Sequence, residues 1–181
     1  MENATTNTDY PLDASVSADA LQQERRIPQR KTINGIVFVR DPFGGYIPES
    51  YLNSKVKVRT PKDALPALSS IRLSPQEIVM VIDLDGNNQI AHVRTVSVGL
   101  ANQSQIHPRE VFSGAIHNRA VSILIAHNHP SGNLEPSDSD LISTRRLVEA
   151  GKTLGIPVLD HLILSANGFL SLRERYPAYF S

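Results

Sequence analysis

The chain has 181 residues, 40% of them hydrophobic, with 18 basic side chains against 18 acidic ones and no cysteine. That is enough apolar material for about one compact domain, and a formal charge of zero leaves no global basic field to recruit nucleic acid. Disulfides, thiolate metal sites and cysteine nucleophiles are all excluded.

Residues 1–31 are polar, poor in large apolar side chains, and end in the small basic cluster Arg25-Arg26-Ile27-Pro28-Gln29-Arg30-Lys31. This composition predicts a flexible N-terminal arm. Residues 32–56 read as an extension or short strand region, with a strand over 36–39 and then a turn through Phe43-Gly44-Gly45-Tyr46-Ile47-Pro48. Thr60 and Pro61 read as the N-cap and first residue of a helix that Pro66 keeps short or kinked. Strands are expected at Ile78–Leu84 and 89–98, joined by a hairpin turn at Asp85-Gly86-Asn87. A helix over 108–118 follows, then a buried strand over 121–127, an apolar run rich in β-branched residues. The helix expected over 137–154 carries apolar residues at Leu141, Ile142, Leu147 and Val148, with Gly151 and Gly155 near its end. Strands at 158–164 and 169–172 close the chain around an Asn167-Gly168 turn. This alternation predicts an α/β fold whose sheet is mixed or largely antiparallel, with helices packed on it.

The run from Ala126 to Asp140, Ala-His-Asn-His-Pro-Ser-Gly-Asn-Leu-Glu-Pro-Ser-Asp-Ser-Asp, holds the chemistry. Residues two apart on a strand share a face, so His127 and His129 project together from the strand's end, and Pro130 stops the ladder there. Ser137-x-x-Asp140 reads as a helix N-cap with an acid in the first turn, which serves orphan N–H groups and the helix dipole. The same helix start holds Asp140 rigidly beside the strand end. Two imidazoles and one carboxylate make the three protein ligands of a catalytic zinc, whose fourth position holds water.

His-x-His, seven residues, then Ser-x-x-Asp resembles the signature of JAB/MPN+ (JAMM) metalloproteases. The words His107-Pro108-Arg109-Glu110, Ala126-His127-Asn128-His129-Pro130-Ser131-Gly132 and Leu159-Asp160-His161 resemble the bacterial RadC-like branch in particular. The resemblance covers residues 57–175, within a domain drawn as 57–181. About the first fifty residues do not match, and they lack the helical, helix-hairpin-helix-like pattern usual at the N-terminus of RadC proteins. The resemblance implies the MPN fold, related to the cytidine-deaminase architecture, with a zinc ion on His127, His129 and Asp140. It also implies a general base at the head of the first core strand. Glu77, in Ser74-Pro75-Gln76-Glu77 before Ile78, stands at the matching position, with Glu110 as the rival. Ser137 matches the family serine that steadies an oxyanion, a role its hydroxyl suits chemically. His107, His117 and His161 are left out of the ligand set, and His161 reads as a core or outer-shell histidine on its strand.

Three function classes follow. The leading one is a zinc metallohydrolase acting on a peptide or isopeptide bond of a protein or peptide substrate. The second is a non-catalytic interaction module, against which the complete set His127, His129, Ser137 and Asp140 speaks. The third is DNA binding or repair, against which the neutral charge and the missing N-terminal pattern speak. A zinc deaminase would need Pro-Cys-x-x-Cys, which a chain without cysteine cannot supply. Gly44-Gly45 sits within a turn pattern and reads as turn chemistry. With no leader-like start and no apolar run of membrane-spanning length, a cytoplasmic location is the expectation.

Overall fold

The computed structural model describes residues 30–33, 36–40, 46–49, 56–99 and 106–181. Two sheets are present among them. The smaller is an antiparallel meander of β1 (Arg30–Ile33), β2 (Ile36–Arg40) and β3 (Tyr46–Pro48). The larger carries β4 (Ile78–Leu84), β5 (Ile90–Val98), β6 (Ser122–Asn128), β7 (Val158–Ser165) and β8 (Gly168–Ser171) in the spatial order β5-β4-β6-β7-β8. Only β6 and β7 run parallel, so the sheet is mixed, as its alternating elements predict. Their connection is the long helix α3 (Asp138–Leu154), the crossover that a parallel pair needs.

The sheet is covered on both faces, which is why β4 and β6 are almost wholly buried. Met80, Ile82, Leu84, Leu124, Ala126, Leu162 and Leu164 form one core with Ala64, Ala67, Leu68 and Ile71, from the short helix α1 (Pro61–Ala64) and the turns after it. Val79, Val81, Ile123 and Ile125 form the other core with Val111, Phe112 and Ala115 of α2 (Pro108–His117) and Leu147 and Val148 of α3. The period-2 alternation along β4 and β6 assigns each side chain to one core or the other. A last short helix, α4 (Leu172–Arg175), follows β8. Gly155, at φ 70°, ends α3 in the left-handed conformation that glycine adopts without strain.

Most expected elements appear at the expected places, and one does not. Tyr46–Pro48, read as part of a turn, is strand β3, with Val39 opposite Ile47 and Arg40 opposite Tyr46. Aromatic and β-branched residues suit a pleated ladder, and β2 offers them an edge. Residues 1–29 of the expected arm, and Gly44-Gly45, lie outside the described residues, whereas Arg30 and Lys31 pair in β1.

One buried polar cluster holds α2 against the sheet. Asp83 of β4 is fully buried and pairs with Arg94 of β5, Nε to Oδ2 at 3.1 Å, and accepts from Asn118 Nδ2 at 2.7 Å. Arg94 also donates to the Val111 carbonyl. Gly114 is what lets α2 come so near, since a Cβ there would sit 2.7 Å from the Arg94 guanidinium.

Candidate metal centre

β6 delivers His127 as a buried residue, and the chain leaves the sheet with His129, whose amide still donates to the Leu164 carbonyl of β7 at 2.8 Å. The loop 130–136 then returns to the start of α3. Ser137 caps that helix: its Oγ accepts from the Asp140 amide at 3.2 Å, while Asp140 Oδ2 accepts from the Ser137 amide at 2.8 Å. This reciprocal capping box fixes the Asp140 carboxylate next to the strand end.

The three expected ligands converge. His127 Nε2 and His129 Nε2 are 3.0 Å apart, and Asp140 oxygens lie 3.3 Å from the first and 3.5 Å from the second. One donor atom from each residue falls within a 4.8 Å cluster. The His127 side chain is 1% exposed, whereas His129 and Asp140 are 16% and 15% exposed, so the cluster is walled on one side and reachable from the other.

The partners of the far ring nitrogens dictate which atoms face inward. His129 Nδ1 lies 2.8 Å from the Asn133 carbonyl, which only accepts, so Nδ1 carries the proton and the Nε2 of the neutral ring presents a lone pair. Behind His127 runs a longer chain. Thr144 Oγ1 donates to the Asp140 carbonyl at 2.6 Å, which commits its single proton. Its 2.7 Å contact with His161 Nδ1 is therefore a bond donated by His161. That leaves His161 Nε2 as the acceptor for His127 Nδ1–H at 2.8 Å. Burial pushes the His161 pKa well below its ordinary value, as does the charge of His127, and keeps the ring neutral for this role. Two imidazole lone pairs and a carboxylate thus point at one spot, and a cation is the chemistry that this donor set fits.

The charge balance agrees. Burial alone would raise the Asp140 pKa, but hydrogen bonds with His127 and His129, the charge of His127 and the Ser137 hydroxyl hold it well below the usual carboxylate range. The His129 pKa is raised, first by its bond to Asp140 against the opposing effect of burial, then by Asn133 and the charges of Asp140 and Glu77.

Glu77 precedes β4 and is half-buried. Val79 pairs with His127, and continuing that antiparallel register by two residues sets Glu77 at the level of His129. Its charge is the last and smallest of the causes that raise the His129 pKa. Glu110, the rival, is an exposed first-turn residue of α2 paired with Arg109 at 2.9 Å. Ser137 is brought to the site, with its hydroxyl donating to Asp140 Oδ2 at 2.6 Å. His107 caps α2 through the Arg109 amide, and His117 closes the same helix. Thr144 and the Asn133 carbonyl were not legible in the sequence; a threonine one turn after a ligand aspartate was the only available signal.

The family model described as the RadC-like JAB domain matches residues 58–176. The chain belongs to that family. The RadC-like match spans β4 to β8 and every residue of the centre just described. Among curated relatives, a UPF0758 protein of Moorella thermoacetica is 46% identical over 123 residues, which are 67% of this chain and 54% of that protein. A UPF0758 protein of Geobacillus thermodenitrificans is 42% identical over 134 residues, 74% of this chain and 59% of its own. One from Clostridium perfringens is 43% identical over 123 residues, 67% of this chain and 54% of its own. The aligned part of the chain therefore spans little more than half the length of these UPF0758 relatives.

Proposed function

We propose that this RadC-like JAB domain is a zinc-dependent hydrolase that cleaves a peptide or isopeptide bond in a protein or peptide substrate. The observation that carries the reading is the convergence of two tautomer-fixed Nε2 atoms and the Asp140 carboxylate on one spot, open to solvent on one side. A zinc ion there, on His127, His129 and Asp140, supplies a Lewis acid that brings a water's pKa towards neutrality. Glu77, at the level of His129, takes the proton of the attacking water and returns it to the leaving amine. Ser137 supports the developing oxyanion by turning its hydroxyl from Asp140 Oδ2, which keeps the Ser137 amide as a hydrogen-bond partner. The exposed faces of His129 and Asp140 mark the side from which an extended substrate approaches.

The test is Glu77→Gln, since an amide cannot take a proton from water. Incubated with a mixed peptide pool and read by mass spectrometry, the native protein is expected to cut. The variant should cut about 10²–10⁴-fold more slowly while keeping its zinc. Full activity in the variant contradicts the role of Glu77. Loss in Glu110→Gln with Glu77→Gln unaffected moves the assignment to Glu110.

A further inference from the structure

Asn128 stands between the two ligand histidines, yet its side chain serves neither of them. It is fully buried, and by the alternation of β6 it lies on the face of the sheet opposite His127. There its amide group makes three hydrogen bonds, all to the main chain of the segment that carries Glu77. Oδ1 accepts from the Ile78 amide at 2.8 Å, and Nδ2 donates to the Gln76 carbonyl at 3.0 Å and to the Ser74 carbonyl at 3.2 Å. The peptide groups on both sides of Glu77 are thus tied to one side chain. The Glu77 carbonyl is itself held by the Gly99 amide at 2.8 Å. No other residue type fits this set: it needs one acceptor and two donors on a short planar group, and only the carboxamide of asparagine carries them at this length.

We propose that Asn128 is a positioning residue that couples the proton-accepting carboxylate to the metal ligands. This rests on the reading of Glu77 given above. β6 presents His127 on one face and, through Asn128, clamps residues 74–78 from the other, so the segment that carries Glu77 is tied to the ligand strand beyond the last paired residues, Val79 and His127. Without Asn128, Gln76 and Ser74 lose their buried donor, and the approach to β4 loosens while the ligands stay in place. A site held about an ångström out of position loses most of its rate.

The test uses the full chain, with Asn128→Leu as a near-isostere and Asn128→Ser as the gentler change should the first not fold. Hydrogen exchange at the Ile78 amide should rise at least about tenfold, because its acceptor is gone. Zinc affinity, measured with the metal alone against a competing chelator, should stay within about threefold, short of the 10–100-fold lost with partners of the ligands themselves. Cobalt-loaded protein gives the link to Glu77: the pH midpoint of its visible band should move in Glu77→Gln and move the same way in the Asn128 variants. Unchanged exchange at Ile78, or zinc affinity falling more than tenfold, overturns the inference. So does a midpoint that moves in Glu77→Gln but not in the Asn128 variants, with the role of Glu77 left standing. A midpoint that stays put in Glu77→Gln removes the role of Glu77 itself, and the inference with it.

Discussion

Asp83 on β4 and His127 on β6 sit on neighbouring strands, each the centre of a buried polar cluster, and the two clusters are finished in different ways. Around Asp83 every charge is answered within the protein: the carboxylate takes the Arg94 guanidinium and Asn118, and Arg94 spends a further donor on the Val111 carbonyl. Around His127 the hydrogen bonds run outward, through His161 to Thr144 on one side and through Asn133 on the other. They leave two lone pairs and a carboxylate facing each other. The first cluster is a clamp that needs nothing more, and the second is a set of acceptors that becomes complete when a cation joins it. Burial of polar groups alone does not separate a structural cluster from a functional one, but the direction of the hydrogen bonds does.

The sharpest way to break the comparison is to break the clamp. Arg94→Met leaves Asp83 charged and buried, which should cost about 3–5 kcal/mol of stability, measured by denaturant unfolding, with little change in zinc affinity for the molecules that remain folded. Equal loss of zinc affinity would show that the two clusters are one unit.

His161→Leu should do the opposite. It removes the acceptor for His127 Nδ1–H and so releases the tautomer, and zinc affinity should fall about 10–100-fold as judged by chelator competition. His161→Gln, whose carbonyl oxygen can accept the same bond, should recover part of it. A leucine variant with native affinity would mean that the chain behind His127 does not orient it.

A pH series sharpens the contrast further. The raised pKa of His129 means that its ring is still protonated somewhat above its ordinary value of 6.5. Zinc must displace that proton, so apparent affinity should weaken as pH falls through the His129 pKa, by up to about tenfold per unit for one displaced proton. Affinity that is flat from pH 8 to pH 6 would contradict the assignment of His129 as a ligand.

The smallest expected effect is at the N-terminus. Residues 1–29 carry little apolar material and β1 begins at Arg30, so a chain beginning at Arg30 should keep its zinc and its thermal midpoint, and early proteolytic cuts should fall before that point. A sharp drop in the midpoint would make this segment a packed element.

The convergence of His127, His129 and Asp140 was legible because strand periodicity, a proline stop and a capping box are local codes: the three residues lie within a short stretch, and each code fixes one side chain. The order of strands β4 to β8 was legible only as a mixed sheet, since pairing partners are non-local. What was hidden was hidden for the same reason. Nothing near Asn128 in the chain suggests that it binds the peptide groups around Glu77, since those partners come from the far side of a strand pairing. Arg94 stands opposite Val81 and Asp83 opposite His92, so the ion pair forms on the diagonal of a hairpin register that no local code in the sequence supplies. Tyr46–Pro48 reads as a turn because a proline after two glycines outweighs two good strand formers, although β2 offers the segment an edge to pair with.

The central claim is that the open cluster is a metal centre, and elemental analysis of the purified full chain tests it most directly. About one zinc per chain is expected on a three-ligand site, falling to background when His127 and His129 are both changed to alanine, with the Asp83–Arg94 clamp and the fold intact by circular dichroism. Zinc content unchanged in that double variant, or no zinc taken up by the native chain even when the metal is supplied, would contradict the account.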